Sequence, residues 1–303
     1  MKEINSYPKI YNLGHRAIRD IFKESVLCQE KVDGSQISFC RRDVDIYARS
    51  KGAMLYFDNP EKMFAPGLEQ IWDIGDSLVD GWVYRGEYLK KPKHNVLEYD
   101  RTPIRHIILY DIQVGDQDFL DPESVKEEAE RIGLEVVPYW FLPEGATLEQ
   151  LSDLLLNVSC LGGCAPEGIV IKNYRRFDPY TGKVMMGKHV SEAFKEVHRN
   201  SKGKYRTSNK DVIQSIIDNY KTEARWQKAV QHLREAGKLE DSPTDIGMLI
   251  KEVSQDVYHE ERLEIQEILF KWAWKQISSG FTAGMTEWYK ESLLKKQFGG
   301  EDD

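Results

Sequence analysis

The chain has 303 residues, 42 Lys and Arg against 50 Asp and Glu, a formal net charge of -8 and a hydrophobic share of 41%. That apolar share, with Trp, Tyr and Phe spread throughout, excludes a disordered polymer. The acidic balance argues against a protein that wraps nucleic acid nonspecifically, though it leaves room for a local basic groove.

Tyr7-Pro8-Lys9-Ile10 opens the chain, and Ile18, Ile21 and Phe22 then predict an amphipathic helix over about 15–25. Val26-Leu27-Cys28 reads as a strand entering the turn Lys31-Val32-Asp33-Gly34, and Gln36-Ile37-Ser38-Phe39-Cys40 leaves it with period two. Strand, Asp-Gly turn and strand predict a β-hairpin. Residues 43–49, 81–88 and 105–114 read as further strands, with the basic loop Lys90-Lys91-Pro92-Lys93-His94 between the last two. Helices are expected over 124–132, capped by Asp121 or Ser124 with Pro122 near the start, and over 147–156. Residues 167–173 and 184–190 read as strands and 192–198 as a short helix.

After Asn200 the composition changes. Ser201-Lys202-Gly203-Lys204 reads as a linker. Apolar stripes follow at Val212, Ile213, Ile216 and Ile217, at Ile246, Leu249, Ile250 and Val253, and from Leu263 to Ile277. Ser242-Pro243-Thr244-Asp245 has the chemistry of a helix start. Trp272, Trp274 and Trp288 read as packing residues, and the last five residues as a frayed tail. The expected fold is α+β: a mixed, largely antiparallel sheet domain over residues 1–200 and a small all-helical domain over 205–298.

No apolar run approaches the roughly 20 residues of a membrane span, and no basic-flanked apolar leader follows Met1. The expected setting is cytoplasmic and reducing, with free thiols. Cys160 and Cys164 could form half of a zinc site completed by Cys28 and Cys40; four unrelated thiols are the simpler reading.

Six segments carry the chemistry, in one order: Lys31-Val32-Asp33-Gly34, Arg49-Ser50-Lys51-Gly52, Arg85-Gly86-Glu87, Tyr110-Asp111, Pro166-Glu167-Gly168-Ile169-Val170-Ile171-Lys172, and Gly187-Lys188. A lysine on a turn is by itself an ordinary surface residue. As a nucleophile it must be uncharged, although a free lysine titrates near about 10.4. Nearby cations and partial desolvation favour the neutral amine. Lys172 and Lys188 are the natural cations to face phosphate. On a regular strand Lys172 shares a face with Gly168 and Val170, opposite Glu167 unless one of the two sits at a strand end.

That ordered set resembles the covalent nucleotidyltransferase superfamily of RNA ligases, DNA ligases and mRNA capping enzymes. Within it the chain is similar to the ATP-dependent RNA ligases of the phage T4 RNA ligase 2 type, whose sheet-rich, ATP-grasp-like catalytic domain precedes an all-helical one. The resemblance implies that Lys31 is the catalytic residue and becomes lysyl-AMP. It implies that Glu30 reads the adenine edge, that Gln36 lies near the nucleotide, and that Arg49 contacts the nucleotide or the 5′-phosphate end. It further implies that Glu87 accepts from the ribose, that Tyr110 stacks on adenine, that Lys172 and Lys188 contact phosphate, and that Glu167 holds Mg²⁺ or Mn²⁺. Met186 stands where such enzymes carry a further lysine, and Lys183 is the candidate substitute.

The implied activity joins 3′-OH and 5′-phosphate RNA ends, as in a nicked duplex, using ATP, with no membrane and no obligate protein partner. A phage-encoded repair role is implied by resemblance alone. The alternatives are a ligase preferring DNA or DNA-splinted ends, and an inactive nucleic-acid-binding relative. NAD is disfavoured as AMP donor, because NAD-dependent ligases place a further domain ahead of the lysine. Lys90, Lys91, Lys93 and His94, and Arg175 and Arg176 beside Tyr174 and Phe177, are candidate strand-binding clusters.

Overall fold

Side chains on a strand alternate between two faces, and here that alternation separates apolar from polar residues in two sheets. The computed structural model describes residues 4–190 and 212–298. The expected helix at 192–198, the linker at 201–204 and the five-residue tail lie outside the described residues.

The first sheet runs in the order β1 (Ile10–Asn12), β12 (Val184–Val190), β11 (Gly168–Phe177), β2 (Val26–Lys31), β10 (Tyr139–Leu142). All its pairings are antiparallel except that of β1 with β12. The second runs β5 (Met54–Leu55), β4 (Asp45–Ser50), β3 (Ser35–Arg42), β6 (Val83–Tyr88), β7 (Ile107–Gly115), β8 (Asp118–Phe119), with β9 (Glu135–Val136) parallel to β7.

The outer face of each sheet makes a core. Ile37, Phe39, Tyr84, Tyr88, Leu109 and Ile112 of the second sheet pack on Leu68 and Ile71 of α1 (Ala65–Asp73) and on Val125, Ala129 and Ile132 of α2 (Pro122–Ile132). Val26, Cys28, Ile169, Ile171 and Met185 of the first sheet pack on Ala17, Ile18, Ile21 and on Leu151 of α3 (Leu148–Leu154). Each such side chain contributes about 1.5–3 kcal/mol. The same parity turns Lys31, Val170, Lys172 and Lys188 of one sheet, and Gln36, Ser38, Arg49, Arg85 and Glu87 of the other, to the inner faces.

The expected hairpin at Lys31 is not formed. β2 belongs to the first sheet and β3 to the second, so Val32–Gly34 crosses between sheets. Gly34 suits this crossing because a Cβ there would lie 2.7 Å from Glu87 Cγ, Leu89 Cδ1 and the Tyr88 carbonyl. The helix expected over 15–25 is a single 3-10 turn, Arg16–Ile18, followed by turns. A three-residue apolar spacing serves a 3-10 turn as well as a helix. α1, which the reading above does not predict, carries its own signals, Phe64, Leu68 and Ile71 at helical spacing with Pro66 in the first turn.

The helical part comprises α4 (Val212–Tyr220), α5 (Glu223–Glu235), α6 (Ile246–Phe281) and α7 (Met285–Phe298). Thr222 caps α5, and Ser242 and Asp245 form a capping box ahead of α6. Trp274 and Trp288 are 48% and 65% exposed, so they are surface residues rather than packing residues. No described helix is long and apolar enough to cross a membrane.

Gly86 sits at an irregularity in the β6–β7 register, and a Cβ on it would lie 2.8 Å from the Ile108 carbonyl. Gly86→Ala is expected to cost about 1–3 kcal/mol through backbone displacement, read as a lowered urea midpoint with unchanged slope.

Candidate active site

β2 ends at Lys31, and its side chain enters the space between the two inner faces. Its amine meets Glu167 Oε2 at 2.5 Å. Glu167 immediately precedes β11; at that strand end it escapes the alternation that would send it to the opposite face. Glu87 and Asp33 act on it electrostatically from farther away.

Burial works to lower the Lys31 pKa, but Glu167 and Glu87 together raise it above the ordinary lysine value. The contact that governs the amine is thus the Glu167 carboxylate rather than a neighbouring cation. Glu87 is pushed up to about 8, chiefly by burial, with Lys31 opposing and Glu167 adding to the shift. Lys188 falls to about 8, first through burial and then through the charge of Lys31.

The residues flanking the nucleophile hold loops. Asp33 Oδ2 accepts from the backbone N–H groups of Val96 and Leu97 at 2.7 and 2.8 Å. Glu30 Oε2 accepts from Cys160 N at 3.0 Å, and its other oxygen from Ser159 Oγ. Glu30 therefore points away from Lys31 and anchors the loop at 159–164. As neighbours on a strand, Glu30 and Lys31 face opposite ways.

Lys172 reaches the inner face, as its parity requires, but is not open to phosphate. It is buried in an ion pair with Asp111 at 2.9 Å and donates to the Tyr110 carbonyl at 3.2 Å. Asp111 also accepts from Tyr174 at 2.5 Å and from Tyr7. This cluster ties β11 to β7, and so one sheet to the other. Tyr110 lies beside it, edge-on to Tyr7 at 5.2 Å, with the Lys172 ammonium 5.1 Å from its ring. Gln36 pairs with Glu87 across β3 and β6. Arg49 donates to the carbonyls of Ile4 at 2.5 Å and Ser50 at 3.2 Å, at the rim.

Met186 is fully buried opposite Lys172 on β12. Lys183 precedes β12 in the turn after β11, at the far end of the strand from Lys188, and does not replace it. Of the basic clusters, Lys90, Lys91 and Lys93 are exposed, whereas Arg176 pairs with Glu24 at 3.2 Å and Tyr174 is drawn inward to Asp111. The cysteines are dispersed: Cys28 lies in the first sheet's core, Cys40 beside Ile4 and Val83, and Cys160 and Cys164 against Leu161 and Tyr99.

Sequence reading missed the helical contribution. α5 lies over the Gly34–Ser35 turn, with Ser35 Oγ donating to Glu235 at 2.5 Å. Among the described residues no three His, Cys, Asp or Glu side chains converge as a metal cage. A hard cation held by one or two carboxylates, and otherwise by water and phosphate, needs no cage. Glu167 fits that donor set.

Lys31, partly buried and paired with Glu167, thus lies between two inner faces that carry further cations. A family model described as RNA ligase matches residues 24–190, and the chain belongs to that family. None of the curated proteins compared with the chain by sequence matches it. Among solved structures it is similar to Naegleria gruberi RNA ligase with PPi, at 19% identity and a TM-score of 0.48, covering 65% of this chain and 58% of that one. A mutant of that ligase with ATP and Mn gives 18% identity and a TM-score of 0.45, covering 59% of this chain and 53% of that one. The chain thus spans less than two thirds of the length of these structures.

In the folded protein Glu87 holds a proton from its ordinary value of 4.5 up to about 8, so folding takes up protons in that window and wild-type stability falls as pH rises. Glu87→Gln removes this loss. Relative to wild type it is expected to gain at least about 1 kcal/mol between pH 5 and pH 8, measured by urea unfolding at each pH.

Proposed function

We propose that the chain is an ATP-dependent RNA ligase that seals 3′-OH and 5′-phosphate ends through a lysyl-AMP at Lys31. The observation that carries this is the Lys31 amine, 2.5 Å from Glu167 between two inner faces, with Lys188 on the same face of the same sheet.

In the first step the amine, released from Glu167, gives its proton to solvent and attacks the α-phosphorus of ATP. A nitrogen–phosphorus bond forms, and the bond to pyrophosphate breaks. In the second, an oxygen of the RNA 5′-phosphate attacks the same phosphorus and the Lys31 amine leaves, giving an adenylylated 5′ end. In the third, the 3′-OH attacks that end, loses its proton and expels AMP. Mg²⁺ or Mn²⁺ held by Glu167 would neutralise charge on the pyrophosphate oxygens.

The remaining residues take positioning roles. Lys188 neutralises phosphate, Glu87 accepts from a ribose hydroxyl, and Gln36 lies next to it. Tyr110 offers a ring to the base, and Arg49 lies at the rim for the 5′-phosphate end. Lys172 works indirectly, by fixing Tyr110 and Asp111. Residues 1–200 form the catalytic domain and 205–298 the helical one. The substrate of this reading is RNA with 3′-OH and 5′-phosphate ends, as in a nicked duplex.

With α-labelled ATP and a divalent ion, the protein is expected to take up covalent label and Lys31→Ala none. Lys188→Ala is expected to slow labelling on the order of a hundredfold, the usual cost of losing one charge-stabilising donor. Label on Lys31→Ala, or nicks sealed only with DNA at the 3′-OH side, would contradict this reading.

A further inference from the structure

α5 and α6 bring a carboxylate into a group of lysines at the edge of the site. Glu260 of α6 meets Lys228 of α5 at 2.7 Å. Lys51, just beyond β4, and Lys188, from β12, act electrostatically on the same carboxylate. Lys9 pins the helix alongside, donating to the carbonyls of His259 at 2.8 Å and Glu260 at 3.2 Å. The docking is close: a Cβ on Gly52 would lie 2.3 Å from His232 Nε2.

Lys228 contacts the carboxylate directly, while Lys51 and Lys188, from two other parts of the chain, act on its charge from farther away. The sheet alone lacks a second phosphate-facing cation, since Met186 is apolar and buried and Lys172 is committed to Asp111. Lys51, and Lys228, which Asp256 also holds at 2.5 Å, are the further cations at this edge.

We propose that Lys51, Lys188 and Lys228 form the seat of the β- and γ-phosphates of the nucleotide, and that Glu260 fills this seat in the free protein as an internal anion. This rests on the ligation reading above. A polyphosphate then has to displace the Glu260 carboxylate, so nucleotide binding and the seating of α6 are coupled. Such coupling is reciprocal: whatever loosens α6 tightens the nucleotide. The carboxyl of Glu260 is well suited to the role. Burial works against its charge, yet Lys228 foremost, with Lys51 and Lys188, holds its pKa at about 2.

The test is calorimetric titration of the full chain with inorganic tripolyphosphate, without divalent ion. Glu260→Gln is expected to bind at least about fivefold tighter than wild type, the lower end of ordinary coupling between sites. Lys228→Gln is expected to bind more weakly. Glu264→Gln, one turn along on the exposed side of α6, is expected to match wild type. Should Glu260→Gln lose its fold, Glu260→Asp, which withdraws the charge by one methylene, carries the same expectation. Equal or weaker binding by the Glu260 variant, or no binding by any of the proteins, overturns the proposal. Covalent labelling of the same preparations with ATP reports separately: label with unaltered tripolyphosphate affinity sinks the internal anion and leaves the ligase reading standing.

Discussion

A charged lysine pressed against a carboxylate between two sheet faces is the constraint on which this molecule turns. Charges interact far more strongly there than at the surface, and the contact of Lys31 with Glu167 and the influence of Glu87 keep the amine protonated in the free protein. A protonated amine cannot attack. On the proposed ligation reading, the carboxylates beside Lys31 therefore have to be engaged elsewhere before it reacts, and their oxygen chemistry suits a hard cation and a sugar hydroxyl. Storage and activation are two states of one set of side chains.

Everything else in the first 190 residues serves to bring that set together. The outer faces of the sheets are apolar and supply the cores, which leaves the inner faces to polar groups. The buried Lys172–Asp111 pair, with Tyr7 and Tyr174, fixes how one inner face meets the other. Removing one member of such a pair leaves an unpaired buried charge, a costlier state than the absence of both. The helical part then borders the site with charges of its own, Glu235 over the Gly34–Ser35 turn and Glu260 among the lysines.

Much of this was legible in the sequence. The strands at β4, β6, β7 and β12, the helices α2 and α3, and the helix start at Ser242 follow from alternation, periodicity and capping chemistry, which are local. The expected α+β class follows from the same signals. What failed was non-local. Nothing near Asp33-Gly34 distinguishes a hairpin from a crossing between sheets, because both need a tight turn; only the partners of β2 and β3 decide it. The parity of β11 correctly put Lys172 on the site face but could not reveal that Asp111, 61 positions earlier, neutralises it. The fate of Glu30 was set by a loop more than a hundred residues away. The cations expected around Lys31 were counted from the motif, whereas burial and the carboxylates govern its charge.

The state of Lys31 can be observed directly by following its side-chain carbon resonance, assigned with Lys31→Arg, through a pH titration of the free protein. A lysine held by Glu167 and Glu87 titrates above the ordinary lysine range in wild type and drops clearly in Glu167→Gln. A Lys31 that titrates at or below the ordinary range, indifferent to Glu167, would contradict the electrostatic storage of the nucleophile.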